Sequence, residues 1–324
     1  MKPLLIRVSI FLLGLLGLNF LLAYALGVLD RDVDKRGYAF DRYRWGEFYE
    51  LPKGDSLDIL FLGSSHAYRG FDPKLLEEWQ GIKGFNLGSS GQTPLTSLHV
   101  LHNAIRHQRP KMVVMELYFY TFLEADQLNN GGNNWLQLHN STAKWNFLWQ
   151  AFDAYEMSAL TVLPILRRKN ALPYVLRKYL RGDDHLDHAG FYKGRGYVER
   201  SEQISAERLR RPDLYDQLEL APDWALPKHQ KAIREIAKLC AEAGIELRFI
   251  SSPMPQITVK KIQDQSQIDA YLEELTESVN AEYRNDTQNP NLGLVDSLHF
   301  FDNNHLNAEG VKIWNRQLLN YLKP

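Results

Sequence analysis

The sequence predicts an α/β fold: a three-layer sandwich around a central, mostly parallel sheet, with one N-terminal transmembrane helix and a helical insertion. Three observations predict it. Short apolar runs alternate with amphipathic patterns on both sides of a long middle segment, which is the signature of a parallel sheet covered on both faces. The middle segment, about residues 118–226, lacks that alternation. From Val8 to Leu29 the chain carries no charged residue.

The uncharged run comes first. As a helix rising about 1.5 Å per residue it is roughly 33 Å long, enough to cross a hydrocarbon core. Lys2 and Arg7 precede it, so the positive-inside bias predicts a cytoplasmic N-terminus and a periplasmic or extracellular remainder. Residues 1–29 are read as a single-pass anchor in a bacterial cytoplasmic membrane. A cleaved signal peptide is the alternative, with Ala23-Tyr24-Ala25 as its A-x-A site. Both place the rest of the chain outside the cytoplasm. Residues 30–56 are charged and aromatic (DRDVDKRGYAFDRYRWGEFYELPKGDS) and read as a stalk.

The main domain is expected over residues 57–324. Leu57–Leu62 reads as a strand and Pro73–Gln80 as a short helix, with proline suited to its first turn. Gly84–Leu87 reads as a short strand. Pro94–Arg106 has helical periodicity, with Leu95, Leu98, Leu101 and Ile105 on one face. Met112–Leu117 is a third strand. The insertion follows, rich in tryptophan (Trp135, Trp145, Trp149) and in basic clusters (Arg167-Arg168-Lys169, Arg177-Lys178). Its aromatics are expected to pack a small core of its own. After it, Lys228–Ala243 reads as a helix closed by Gly244. Ile245–Ile250 reads as a strand, Ile268–Tyr283 as a helix, Leu292–Val295 as a strand and Ala308–Leu322 as the last helix.

Composition narrows the function classes. The 324 residues carry 38 basic and 39 acidic side chains, a net charge of −1. Such balance gives no electrostatic reason to expect nucleic acid as a partner. Cys240 is the only cysteine, which rules out an intrachain disulfide and a cysteine-based metal cluster; it reads as a small buried apolar residue. Asp183-Asp184-His185-Leu186-Asp187-His188 reads as a solvated loop, because carboxylates and imidazoles without a scaffolded spacing make poor metal sites. No metal and no cofactor are expected.

The chemistry concentrates at three loops. Gly63-Ser64-Ser65 ends the first strand, Asn86-Leu87-Gly88-Ser89-Ser90-Gly91 ends the second, and Asp302-Asn303-Asn304-His305 precedes the last helix. Ligands bind outside the carboxyl ends of parallel strands, so these loops can converge on one rim. A serine beside an imidazole backed by a carboxylate is the arrangement of nucleophilic acyl transfer. The G-x-S-x-G elbow is absent at that strand.

FLGSSHAYRGFDP, NLGSSGQTP and DNNHLNAEG resemble blocks one, two and five of the SGNH/GDSL hydrolase superfamily. Within it they are most similar to the membrane-anchored branch of the D-alanyl transfer protein of teichoic acid synthesis (DltD) and related envelope O-acylation proteins. The resemblance covers the sheet segments, not the insertion, and implies an SGNH, flavodoxin-like sandwich. It implies Ser65 as nucleophile, with Ser64 as the neighbouring alternative, His305 as general base and Asp302 as the acid that orients it. It implies an oxyanion hole from the Ser65 and Gly88 backbone N–H groups, glycine at 88 leaving room for the substrate carbonyl. Ser64, His66 and Asn86 are supporting residues. The family's third block, Gly-x-Asn-Asp, is missing; Glu116-Leu117-Tyr118-Phe119-Tyr120 stands there. Glu116 is expected to anchor the insertion, and Arg69 and Asp72 to brace the turn as an ion pair.

The implied function is an extracytoplasmic serine O-acyl esterase or acyltransferase. It would pass an acetyl or D-alanyl group to or from an envelope polysaccharide, peptidoglycan or teichoic acid, with a multi-spanning membrane O-acyltransferase as a partner. Two other functions fit the same residues: a stand-alone anchored carbohydrate acetylesterase, and a non-catalytic accessory subunit of an acylation complex.

Overall fold

Five strands form one wholly parallel sheet: β1 (Ile59–Leu62), β2 (Gly84–Asn86), β3 (Met112–Glu116), β6 (Glu246–Ser251) and β7 (Glu282–Asn285), in the order β2-β1-β3-β6-β7. The computed structural model describes residues 2–25, 40–54, 57–128, 130–168 and 191–323. The expected Asp183–His188 loop and the Arg177-Lys178 pair lie outside them.

β1 and β3 are buried on both faces, which is why they read as unbroken apolar runs. Alternate side chains serve two cores. Leu60, Leu62, Val113, Met115 and Phe249 face one core, shared with Leu95, Leu98 and Leu101 of the helix Pro94–Ala104 and with the helices Pro227–Ala243 and Gln265–Glu277. Ile59, Phe61, Met112 and Val114 face the other, shared with Ala67, Leu76, Val311, Trp314 and Leu318. The result is the expected three-layer sandwich.

Several expectations need correction. The Leu292–Val295 strand is absent; a 3-10 turn covers Pro290–Leu292. The fifth strand is β7, Glu282–Asn285, and the helix before it ends at Glu277. The supposed stalk contains α2 (Phe40–Glu50; α1 being Lys2–Ala25), and Trp45 and Phe48 of α2 are fully buried in the first core. Phe48 packs edge-on to Phe85, with ring centroids 5.2 Å apart. Among its described residues the insertion builds no separate core: Phe122, Trp135, Phe147, Phe152 and Leu160 join the first core, while Trp145 and Trp149 are exposed. It also carries a β-hairpin, β4 (Tyr192–Gly194) with β5 (Tyr197–Val198).

α1 is long and apolar enough to cross a membrane, with a mean hydropathy of 2.2, and no other helix among the described residues is.

Candidate active site

The strand order reverses between β1 and β3, the topological switch point at which such sheets bind ligands. The Gly63-Ser64-Ser65 turn leaves β1 at this point, and Glu116 ends β3 beside it. Gly63 has φ +131, and a Cβ there would lie 2.8 Å from the Glu116 side chain. Only glycine brings the turn this close to β3. Gly63→Ala is expected to cost about 2–4 kcal/mol, measured as a lower urea midpoint; an unchanged midpoint contradicts this packing.

Ser64 and Ser65 go to different partners. The Ser64 N–H and hydroxyl both donate to Glu116 Oε2, at 2.9 and 2.8 Å. Ser64 Oγ in turn accepts from His66 N–H at 3.2 Å, capping the short helix α3 (Ser65–Gly70). Ser64 is therefore buried and structural. Ser65 opens α3, is partly exposed, and its Oγ lies 2.7 Å from His305 Nε2.

His305 Nδ1 lies 2.9 Å from Asp302 Oδ2 and 3.0 Å from Oδ1. Asp302 Oδ1 also accepts the Asn304 and His305 backbone N–H groups, at 3.0 and 2.8 Å. Burial pushes the Asp302 carboxyl up, but the His305 charge, its hydrogen bond and the two backbone donors outweigh this and bring it down to about 2. Asp302 is thus ionised across the physiological range and holds the imidazole with Nδ1 as donor and Nε2 toward the serine. That arrangement can draw a proton from an attacking hydroxyl.

The intervening Asn303 and Asn304 fasten the loop to the insertion. Asn303 Nδ2 donates to Asp213 Oδ2 at 3.0 Å, and Asn304 Nδ2 to the Tyr215 hydroxyl at 2.8 Å. Tyr215 and Tyr118 hydroxyls are 2.6 Å apart, which links this loop to the end of β3. Phe301 stacks on His305 at 5.4 Å, with the Arg69 and Arg200 guanidinium groups over its ring. Two expectations change here. Arg69 lies over Phe301 and Tyr68 instead of pairing with Asp72, and Asp72 caps the helix Pro73–Gln80 through Lys74 N–H. Glu116 holds Ser64 and does not anchor the insertion.

His66 is buried, stacked on Tyr118 at 4.3 Å, and its ring centroid is 4.9 Å from that of His305. Burial first, and the His305 charge second, push its pKa well below the ordinary imidazole value, so it stays neutral. A cavity of about 10 Å³ touches His66, Glu116, Ser252 and Gln265, room enough for one water.

Asn86 braces the turn from the β2 side. Its Nδ2 donates to the Ala67 and Phe71 carbonyls at 2.8 and 3.2 Å, and its Oδ1 accepts the Gly88 N–H at 3.0 Å. The Gly88 amide expected as an oxyanion donor is thus hydrogen-bonded to Asn86. Glycine is needed at 88 for packing: a Cβ would lie 2.7 Å from that of Ala67. The Gly88 carbonyl accepts from Arg44 of α2. Among the described residues no backbone hydrogen bond takes the Ser65 N–H.

Sequence reasoning missed Glu116 as the support of the serine turn, Phe301, Arg44, and the Asp213 and Tyr215 anchors. Apart from Phe301, which stacks on His305 four positions on, each acts on a partner far away in the chain, so no local pattern announces it.

No protein-family model matches the chain, and no curated protein matches it. Some solved structures are similar in fold. A proposed acylhydrolase from Bacteroides fragilis is 12% identical, with a TM-score of 0.40 over 87% of this chain and 96% of that one. A catalytic mutant of an acetylxylan esterase from Geobacillus stearothermophilus is 12% identical, with a TM-score of 0.41 over 85% and 97%. A GDSL-like lipase from Bacteroides thetaiotaomicron is 12% identical, with a TM-score of 0.40 over 90% and 100%.

Proposed function

We propose that this chain is a membrane-anchored, extracytoplasmic serine esterase or O-acyltransferase of the SGNH type, acting on a cell-envelope glycopolymer. The observation that carries the proposal is the Ser65 Oγ to His305 Nε2 distance of 2.7 Å, with Asp302 on the far side of the imidazole at 2.9 Å.

In this reading Ser65 Oγ attacks the acyl carbonyl while His305 Nε2 takes its proton. The Ser65 N–H meets the oxyanion. Collapse expels the leaving alcohol, which takes the proton back from His305, and the acyl group remains as an ester on Ser65. A polymer hydroxyl or a water then attacks that ester, with His305 again as base, and frees the serine. The apolar α1 helix supports an acceptor at the membrane face, and a multi-spanning acyltransferase is the partner that would supply the acyl group.

Cells whose only copy carries Ser65→Ala are expected to keep normal levels of the protein while acyl groups on the envelope polymer fall, if Ser65 passes them to the polymer, or rise, if it hydrolyses them. Unchanged polymer acylation contradicts the proposal.

A second reading, an accessory subunit without catalysis, is favoured by one observation: the Gly88 N–H is taken by Asn86. A missing oxyanion donor typically costs about 10²–10³ in rate. In that case Ser65→Ala would leave acylation intact while deletion of the chain abolished it.

A further inference from the structure

The nucleophile shares its helix with a cation. Of the six residues of α3, His66, Ala67, Tyr68 and Gly70 are buried, and only Ser65 and Arg69 are partly exposed. These two stand four positions apart, so they lie on one face with Cβ atoms about 5–6 Å apart. Aromatic rings fix the guanidinium: its carbon lies 5.0 Å from the ring centroids of both Tyr68 and Phe301. Phe301 in turn stacks on His305.

The chain does not neutralise this charge. Among the described residues no carboxylate pairs with Arg69. The acids of the neighbouring loops are engaged elsewhere: Asp302 with His305, Glu202 with Arg200, Glu199 with Lys193 and Asp213 with Lys261. Asp72 caps the helix Pro73–Gln80. A net positive charge therefore stands beside the serine.

The donors of Arg69 are divided. Nη1 is enclosed without a partner, and the void of about 10 Å³ that touches Arg69, His66, Ser252 and His305 has room for one water. Nε and Nη2 are not enclosed, and no acceptor among the described residues takes them. Their N–H groups run parallel from one edge of the guanidinium and match the two oxygens of a carboxylate or a phosphate. Arg200 uses this same edge on Glu202, with Nε to Oε2 at 3.0 Å and Nη2 to Oε1 at 2.6 Å.

We propose that Arg69 binds an anionic group, a carboxylate or a phosphate ester, on the sugar or polyol unit that carries the acylated hydroxyl. The alcohol is the part recognised, not the acyl group. The alcohol has to reach His305 Nε2 for its proton, and Arg69 adjoins His305 through Phe301. Ser65 then acts on acidic polymers in preference to neutral ones. This rests on the reading of Ser65 as the nucleophile of an envelope esterase or transferase.

Three acetylated oligomers test it: an oligogalacturonate with carboxylates, an oligo(glycerol phosphate) with phosphodiesters, and a neutral xylo-oligosaccharide. kcat/KM is measured for each with the full chain in detergent micelles. Arg69→Ala is expected to lower the acidic-to-neutral ratio of kcat/KM by about 10–100-fold, mainly through KM. Arg69→Lys, which keeps the charge but not the paired edge, is expected to lower it less. The neutral oligomer reports general damage to the site, so the ratio isolates the anion. A fall confined to oligogalacturonate assigns the carboxylate, and one confined to the glycerol phosphate assigns the phosphate. An unchanged ratio in Arg69→Ala overturns the proposal and leaves the esterase standing. If the parent turns over none of the three, the esterase reading fails, and the unacetylated oligomers are titrated by calorimetry into Ser65→Ala with and without Arg69→Ala. Binding of an acidic oligomer at least tenfold weaker without Arg69 then supports the anion site by itself. Equal binding, or none, overturns it too.

Discussion

His305→Ala is expected to slow turnover of p-nitrophenyl acetate by about 10⁴-fold or more in the purified protein. Among the described residues the imidazole is the base in contact with Ser65 Oγ, and Asp302 holds it in place. The neighbouring His66 does not substitute for it. Its ring is stacked on Tyr118 and held neutral by burial, and Ser65 Oγ hydrogen-bonds to His305 instead. Because His305 is only partly buried and supports the fold through its backbone, alanine there leaves the protein folded, as an unchanged urea midpoint would verify. Turnover within a few-fold of the parent would mean that the imidazole takes no proton from Ser65.

Glu116 gives the second large effect, on stability and its pH dependence. Burial raises this carboxyl from 4.5 to about 7, while the two Ser64 hydrogen bonds pull the other way and only in part offset it. In the unfolded chain it ionises near its ordinary value, so the folded state holds the proton more tightly. A carboxyl raised on folding stabilises most below its unfolded pKa. That contribution is lost as pH rises through about 7. The full loss is about 3 kcal/mol. Glu116→Gln keeps an oxygen acceptor for Ser64 and removes the titration. The parent is expected to lose about 2–3 kcal/mol more than Glu116→Gln between pH 5 and pH 8, read from urea unfolding. Parallel pH profiles would contradict the assignment. Glu116→Ala is expected to be worse than the glutamine variant at pH 5, because two buried donors then lack an acceptor at about 1–3 kcal/mol each. The turn that carries Ser65 loosens with them, and a misplacement of about 1 Å costs on the order of 10² in rate.

Much of this was legible in the sequence, for physical reasons. β1 and β3 read correctly because a strand covered on both faces needs an unbroken apolar run. The helix Pro227–Ala243 is legible because it buries one stripe, and Pro94–Ala104, although covered nearly all round, because Leu95, Leu98 and Leu101 recur at helical spacing. β7 was missed because it is an edge strand whose sequence, Glu282-Tyr283-Arg284-Asn285, carries two charges and no apolar run. α2 was mistaken for a stalk because Trp45 and Phe48 stand among charged neighbours, and only the β2 side of the sheet shows that they are core. At the site, the loops that carry Ser65, Asp302 and His305 are legible in the sequence, and the three side chains lie within hydrogen-bonding distance in the order Ser65–His305–Asp302. The sequence could not separate Ser64 from Ser65; Glu116, 52 positions away, does so by taking the Ser64 hydroxyl. The engagement of Gly88 by Asn86 is equally invisible along the chain, because N-L-G reads the same whether its amide is free or bonded.

Activation of the Ser65 hydroxyl is tested most directly by a fluorophosphonate probe. Incubated with the folded protein and mapped by peptide mass, the phosphonyl group is expected on Ser65 alone, with labelling lost in His305→Ala. A protein that stays unlabelled, or that carries the adduct on Ser64, would contradict it.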